Sequence, residues 1–154
     1  MTTAIIGVGN VGGALARHLA GGGEPVVLAA RDESATAALA GELGSLASAN
    51  SVPEAMLPAG AHYVKALGTL AAGSLASSAN RAPRRGVLFY ATDDDLAGAA
   101  AERLITVCGF DPVKVGGVSE AGRLEMPGGD LHQGGGLGGK LLDADQARAA
   151  VAAA

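Results

Sequence analysis

A chain of 154 residues with a net charge of −4 is long enough for one domain with a real core and too short for two comfortable ones. Its acidity argues against nucleic acid as a bulk partner, which would call for a basic patch. Nearly half the residues are apolar, yet there are only two Tyr, two Phe and no Trp, so small aliphatic side chains must build the core.

The first predicted element is a short strand over residues 3–7 (TAIIG). After the GVGNVGG break, Val11, Leu15 and Leu19 recur at helical spacing, and GGGE ends that helix. Residues 25–30 (PVVLAA) form an unbroken apolar run, suited to a parallel strand buried on both faces. DESATAALAGEL predicts a helix capped by Asp32 or Ser34, with Leu39 and Leu43 on one side. Residues 44–61 hold two prolines and little periodicity, and no element is assigned to them. Strands are predicted at about 62–67 (HYVKAL) and at 87–92 (VLFYAT). The next segment, DDDLAGAAAERLITVCG, predicts a helix with acids in its first turn, where the helix dipole favours them. Leu96, Ala100 and Leu104 are expected on its packed face. DPVKVGGV supplies the last strand, and a glycine-rich loop and a C-terminal helix complete the chain. Alternating strands and helices predict an α/β domain with a mainly parallel sheet. The 25 glycines lie between apolar runs, which marks tight turns rather than disorder.

Gly7, Gly9 and Gly12 match G-x-G-x-x-G. The first permits the tight turn, the second lets a pyrophosphate approach the backbone, and the third lets helix pack on strand. The helix beginning near Asn10 and Val11 would point its open N–H groups at the phosphates. Three glycines alone are weak, but here they follow a strand, open an amphipathic helix and precede a second strand at the right distance. A dinucleotide site is the reading.

An NAD site expects an acidic residue at the end of the second strand, about 20 residues after the motif. Counting from Gly12 reaches Ala30, Arg31 or Asp32. Alanine removes the carboxylate that would repel a 2′-phosphate, and Arg31 adds a planar, permanent cation suited to phosphate. NADP is therefore favoured over NAD. If the turn is shifted by two residues, Asp32 becomes the ribose acid and NAD the cofactor.

These residues carry a resemblance. AIIGVGNVGGALARHLA followed by VVLAARDES resembles the N-terminal half of the NADP-dependent oxidoreductases that use the deazaflavin coenzyme F-420, with their GxGNVG turn and a small residue plus Arg after the second strand. VKALGTL at 64–70 is similar to that family's VKAFNT, with Leu67 and Gly68 in place of Phe and Asn. VLFYATDD and GFDPVKVGGV resemble its next two strands, and GGDLHQ a C-terminal motif of a bacterial branch. The resemblance implies a Rossmann-like fold with helices on both faces of the sheet. It also implies hydride transfer between NADP(H) and coenzyme F-420 or a similar flat acceptor, with the protein supplying alignment and water exclusion. Gly7, Gly9, Asn10, Val11 and Gly12 would hold the pyrophosphate. Ala30, Arg31 and Ser34 would face the 2′-phosphate, and Leu67, Gly68 and Thr69 would lie at the nicotinamide and its hydride partner. Between Leu46 and Pro58 the family carries further strands, and this block is too short for a parallel neighbour of that kind. Residues 1–118 are thus read as a Rossmann-like NADP-binding domain shortened in the middle, and 119–154 as a tail packing on the same domain. A homodimer is possible. The alternatives are a dinucleotide-binding module without catalysis, and an NADP-dependent reductase of a small carbonyl or imine.

Other polar residues weigh towards structure. His132 is a candidate proton donor but reads better as a loop histidine, with Asp130 orienting it or capping the turn. Asp93, Asp94 and Asp95 read as capping charges, since three consecutive acids at a helix start cannot face one ion, and no metal site is expected. His18 is expected in solvent, His62 without a ligand-like neighbour, and Arg81 to Arg85 in a solvated loop. Lys65 reaches a phosphate or carboxylate if its strand end opens into the cleft, and is otherwise an edge lysine. Cys108 cannot form an internal disulfide and is expected as a small buried apolar residue, in keeping with a reducing compartment. No apolar run approaches the ~18 residues of a membrane span, and the N-terminus enters its strand without a charged leader, so a cytoplasmic protein is the expectation.

Overall fold

The computed structural model describes residues 3–50, 62–125 and 128–153. The chain divides into two compact units, Met1–Ala61 and His62–Ala154.

The first unit runs β1 (Thr3–Ile6), α1 (Asn10–Gly21), β2 (Val26–Ala29), α2 (Glu33–Leu43), a single 3-10 turn, and β3 (Ala47–Ala49). Its sheet order is β1-β2-β3 with every pair parallel: Thr3 lies opposite Val26, and Val26 opposite Ala47. Parallel neighbours need a crossover, and α1 and α2 provide the two. The middle strand β2 is the buried one, with Leu28 and Ala29 fully enclosed. Helix α1 turns Gly13, Ala14, Ala16, Leu19 and Ala20 inward. Small residues on that face bring the helix axis close to the sheet, while Val11, expected on the apolar stripe, is exposed. Asp32 caps α2, its carboxylate accepting from the Ala35 N–H. The strand β3 corrects the sequence reading, which placed no parallel strand in this block. It fits because α2 itself is the crossover, so nothing further is needed after Leu46. The rest of the block, residues 51–61, lies outside the described residues, and so does the expectation for its length.

The second unit runs β4 (Lys65–Ala66), α3 (Ala72–Ser77), β5 (Val87–Ala91), α4 (Asp95–Val107), β6 (Asp111–Gly116), α5 (Ala121–Glu125) and α6 (Ala144–Ala152). Its sheet order is β4-β5-β6; β5 and β6 are parallel, whereas β4 is antiparallel to β5, with Lys65 opposite Ala91. The strand predicted over 62–67 is thus only two residues long. Every residue of β5 is buried. Val87, Phe89 and Ala91 pack with Val113, Leu124, Leu131 and Ala147 in one core cluster. On α4 the packed face is Ala97, Gly98, Ala101 and Ile105, not the face of Leu96, which is 68% exposed. Gly98 lies against Thr92 and the Tyr90 ring, so close that a Cβ there would already be in van der Waals contact, at 3.4 Å from Thr92 Cγ2 and 3.7 Å from the ring. Tyr90 also donates its hydroxyl to Glu102, and burial together with that carboxylate pushes the phenol well above its usual range. Cys108 is buried, as expected.

The basic loop is not merely solvated. Arg84 pairs with Asp143 at 3.1 Å and Asp145 at 3.2 Å, and Arg81 donates to the Leu141 carbonyl at 3.3 Å, so the loop is tied to the start of α6.

Candidate functional site

The turn between β1 and α1 is shaped by its glycines. Gly7 adopts φ +101, a backbone that L side chains rarely take, and its N–H donates to the Ala29 carbonyl at 2.7 Å. A Cβ on Gly12 would stand 1.8 Å from the Gly7 carbonyl oxygen and 3.3 Å from Ile5 Cγ2, so only hydrogen fits where helix meets strand. Gly9 differs. It is the N-cap of α1, it bonds no first-turn amide with a side chain, and a Cβ there would meet nothing within 4 Å.

That open end contrasts with the other long helices. Asp32, Asp94 and Asp143 close α2, α4 and α6 by accepting from first-turn amides. Helix α1 brings no carboxylate to its N-terminus, so the N–H groups of Asn10, Val11 and Gly12 stand at the positive end of its dipole with no capping side chain. Such an end attracts an anion.

The turn borders a pocket of about 530 Å³, whose other wall is Ala30, Arg31 and Asp32. Ala30 offers only a methyl group there. Of the first unit's two arginines, Arg17 is gripped by Glu42, Nε to Oε1 at 2.7 Å and a terminal nitrogen to Oε2 at 2.8 Å. Arg31 is exposed and has no hydrogen-bond or ion-pair partner among the described residues. Asp32, the competing ribose acid, is engaged locally. One carboxylate oxygen accepts from the Ala35 N–H at 2.9 Å and from the Ser34 hydroxyl at 3.1 Å. The amide first, and then the hydroxyl, hold this carboxyl below its ordinary range. Ser34 therefore spends its proton on Asp32. Gly7, Gly9, Ala30 and Arg31 line one pocket, with Asn10, Val11 and Gly12 in the helix turn that follows it.

Leu67, Gly68, Thr69 and His132 belong to the second unit. Leu67 is in the left-handed region at φ +67. Thr69 is 1% exposed, and its hydroxyl accepts from the Phe89 N–H at 3.2 Å. The Gly134 N–H donates to His132 Nδ1 at 3.1 Å, which leaves the proton of a neutral ring on Nε2. The Asp130 carboxylate is taken first by Arg123, in a two-pronged ion pair closest at 2.7 Å, and its local backbone amides add to the hold. His62, expected without a ligand-like neighbour, sets Nδ1 against the Asp94 carboxylate. Asp93 accepts from the Val118 N–H at 3.1 Å, so two of the three consecutive acids have structural work. Sequence reasoning missed Gln133, buried at 7% exposure and hydrogen-bonded through both side-chain polar atoms. Its partners Ala71 and Ser74 lie about sixty residues away, and no local pattern signals them. Among the described residues, no group of three or more His, Cys, Asp or Glu is placed to hold a metal ion, and no helix is long and apolar enough to cross a membrane.

A glycine turn between the first strand and helix of a parallel sheet, with an open helix N-terminus above a pocket at the carboxyl ends of β1 and β2, defines a Rossmann-like dinucleotide-binding fold. Residues 2–89 match the family described as NADP oxidoreductase, coenzyme F-420-dependent, and the chain belongs to that family. A comparison with curated protein sequences gave no match. Among solved structures, a hypothetical protein from Sinorhizobium meliloti superposes with a TM-score of 0.74 at 22% identity, over 86% of this chain and 93% of that one. An imine reductase from a Pseudomonas species gives 0.59 at 17% identity, over 75% of this chain and 55% of the reductase. The 3-hydroxyisobutyrate dehydrogenase of Mycobacterium tuberculosis gives 0.54 at 16%, over 75% of this chain and 54% of the enzyme. The fold is shared with these proteins, and the match spans about half the length of the latter two.

Proposed function

We propose that this chain binds NADP(H) in the pocket of its first unit and serves hydride transfer between that cofactor and a deazaflavin of the coenzyme F-420 type or a similar flat acceptor. The observation that carries the reading is Arg31. An exposed guanidinium without a partner among the described residues borders the pocket, next to an alanine where an acid would repel a 2′-phosphate. The engagement of Asp32 at the start of α2 supports the same choice over NAD.

In this reading the N–H groups of Asn10, Val11 and Gly12 receive the pyrophosphate, and the bare backbone of Gly7 and Gly9 lets it approach. Arg31 binds the 2′-phosphate as a charged fork. Ser34 contributes by holding Asp32 rather than by touching phosphate. When bound, the cofactor supplies a hydride from its nicotinamide ring. Leu67, Gly68 and Thr69 shape the acceptor side. His132, with its proton on Nε2, is the candidate proton donor. Alignment and exclusion of water, rather than a nucleophile, are what these residues provide.

The pocket's lining lies wholly within the first unit, which favours a second reading as a dinucleotide-binding module without catalysis. Fluorescence titration with NADPH and NADH, followed by NADPH absorbance with a deazaflavin and separately with a cyclic imine, tests both. Preferential NADPH binding with deazaflavin-dependent oxidation is the expected result. Binding without oxidation of NADPH by either acceptor would establish the module, and turnover with the imine alone would establish an imine reductase.

A further inference from the structure

We infer that Gln133 is a positioning residue, clamping the Leu67–Thr69 loop into the shape required on the acceptor side of the reaction; the inference rests on the reading of that loop given above. The loop is pinned at both ends. Lys65 and Ala66 pair with β5, and the Thr69 hydroxyl accepts from the Phe89 N–H of the same strand. Only Leu67 and Gly68 lie between these anchors, and Leu67 is left with φ +67, a conformation a branched aliphatic residue avoids. Backbone of this kind persists only where the surroundings over-determine it, and such sites cluster where ligands are held.

Gln133 supplies much of that determination. Its N–H donates to the Thr69 carbonyl at 2.8 Å. Its Oε1 accepts from the Ala71 N–H at 2.9 Å, and its Nε2 donates to Ser74 Oγ at 2.9 Å and to the Gly139 carbonyl at 3.2 Å. One residue thus joins all three: its backbone N–H holds the end of the loop, and its side chain holds the Ala71 amide just after it, α3 and the glycine-rich tail. The tail is built to deliver it. Leu131 is anchored in the core cluster, and the chain folds back so tightly that a Cβ on Gly135 would stand 2.5 Å from the Gly129 carbonyl oxygen. A buried amide whose donors and acceptor are all used cannot be exchanged for an apolar group without stranding its partners. A glutamine so placed couples the tail to the loop and not to the core alone.

The test compares Gln133→Ala and Gln133→Asn with Asp143→Ala, which uncaps α6 in the same unit without touching the loop. Gln133→Ala should leave NADPH affinity unchanged, lower kcat about tenfold or more, as expected of a misaligned acceptor, and raise KM for the acceptor. Gln133→Asn should fall between it and the native chain. Asp143→Ala should lower thermal stability with kcat intact. Unchanged kcat and KM in folded Gln133→Ala would overturn the proposal, as would an equal loss in Asp143→Ala. If Gln133→Ala does not fold, the graded loss in Gln133→Asn decides. Hydrogen exchange at the Ala71 amide gives a readout independent of turnover. If the native chain proves unable to oxidise NADPH, the hydride-transfer reading fails, while lost protection of Ala71 in the Gln133 variants would still support the clamp and retained protection would reject it.

Discussion

Gly12 and Gly7 meet so closely that a Cβ on the first would stand 1.8 Å from the carbonyl oxygen of the second. Both contacting groups are backbone, so neither can swing away. Gly12→Ala is expected to cost about 1–3 kcal/mol of stability, the range of overpacked sites, read as a lowered urea midpoint. Gly9→Ala is the counterpart. Its Cβ enters open space, so stability should fall by less than about 1 kcal/mol for the poorer N-cap, while NADPH binding is lost because the methyl group occupies the phosphate's approach. Retained binding in Gly9→Ala would reject the assignment of this turn.

Arg31→Ala should weaken NADPH by about 1.5–3 kcal/mol, the scale of a hydrogen bond to a charged group, which is roughly ten- to a hundredfold in Kd. NADH affinity should be nearly unaffected, and thermal stability too, because Arg31 is exposed and has no partner among the described residues. Fluorescence titration with the two cofactors measures the difference. Equal losses would show that the guanidinium does not read the 2′-phosphate.

Acid stability follows from the three capping aspartates. Asp32, Asp94 and Asp143 are each held below the ordinary carboxylate range, first by the amide each caps, of Ala35, Ala97 and Gln146. A folded-state pKa below the unfolded value of about 3.9 means their stabilisation is present above that pH and is lost as pH falls through the folded values. The melting temperature should therefore be flat near neutrality and decline below about pH 4. Replacing all three with Asn, which caps without titrating, should make the acid decline shallower. Thermal melts across pH would detect this, and an unchanged acid slope would rule it out.

Burial pushes the Cys108 thiol up to about 12. Thiolate is the reactive form, so a thiol reagent at pH 8 should leave the native protein unlabelled and modify one site per chain in denaturing urea. Rapid labelling of the native protein would place Cys108 elsewhere than in the core.

The parts of this protein that sequence alone determined are those with local causes. The glycine turn is one, because a positive φ at Gly7 and a bare Cα at Gly12 are demands that a few neighbouring residues make on one another. The aspartate cap at the start of α2 is another, since an Asp carboxylate reaches the amide three residues on, whatever the rest of the chain does. Ala30 and Arg31 were legible for the same reason: the length of one strand sets where they fall.

Tertiary structure decided what depends on distant partners. An alanine-rich helix carries little periodic signal, and α4 buries the face of Ala97, Ala101 and Ile105 rather than that of Leu96, with Gly98 set against Tyr90 and Thr92. Ala47–Ala49 has no β-branched or aromatic residue and becomes a strand only because β2 offers it an edge. Gln133 reads as one more polar residue among glycines until Thr69, Ala71 and Ser74 are brought to it across about sixty residues of chain. Spacing along a sequence reports contacts within a few turns, and contacts of that span exist only once the core has closed.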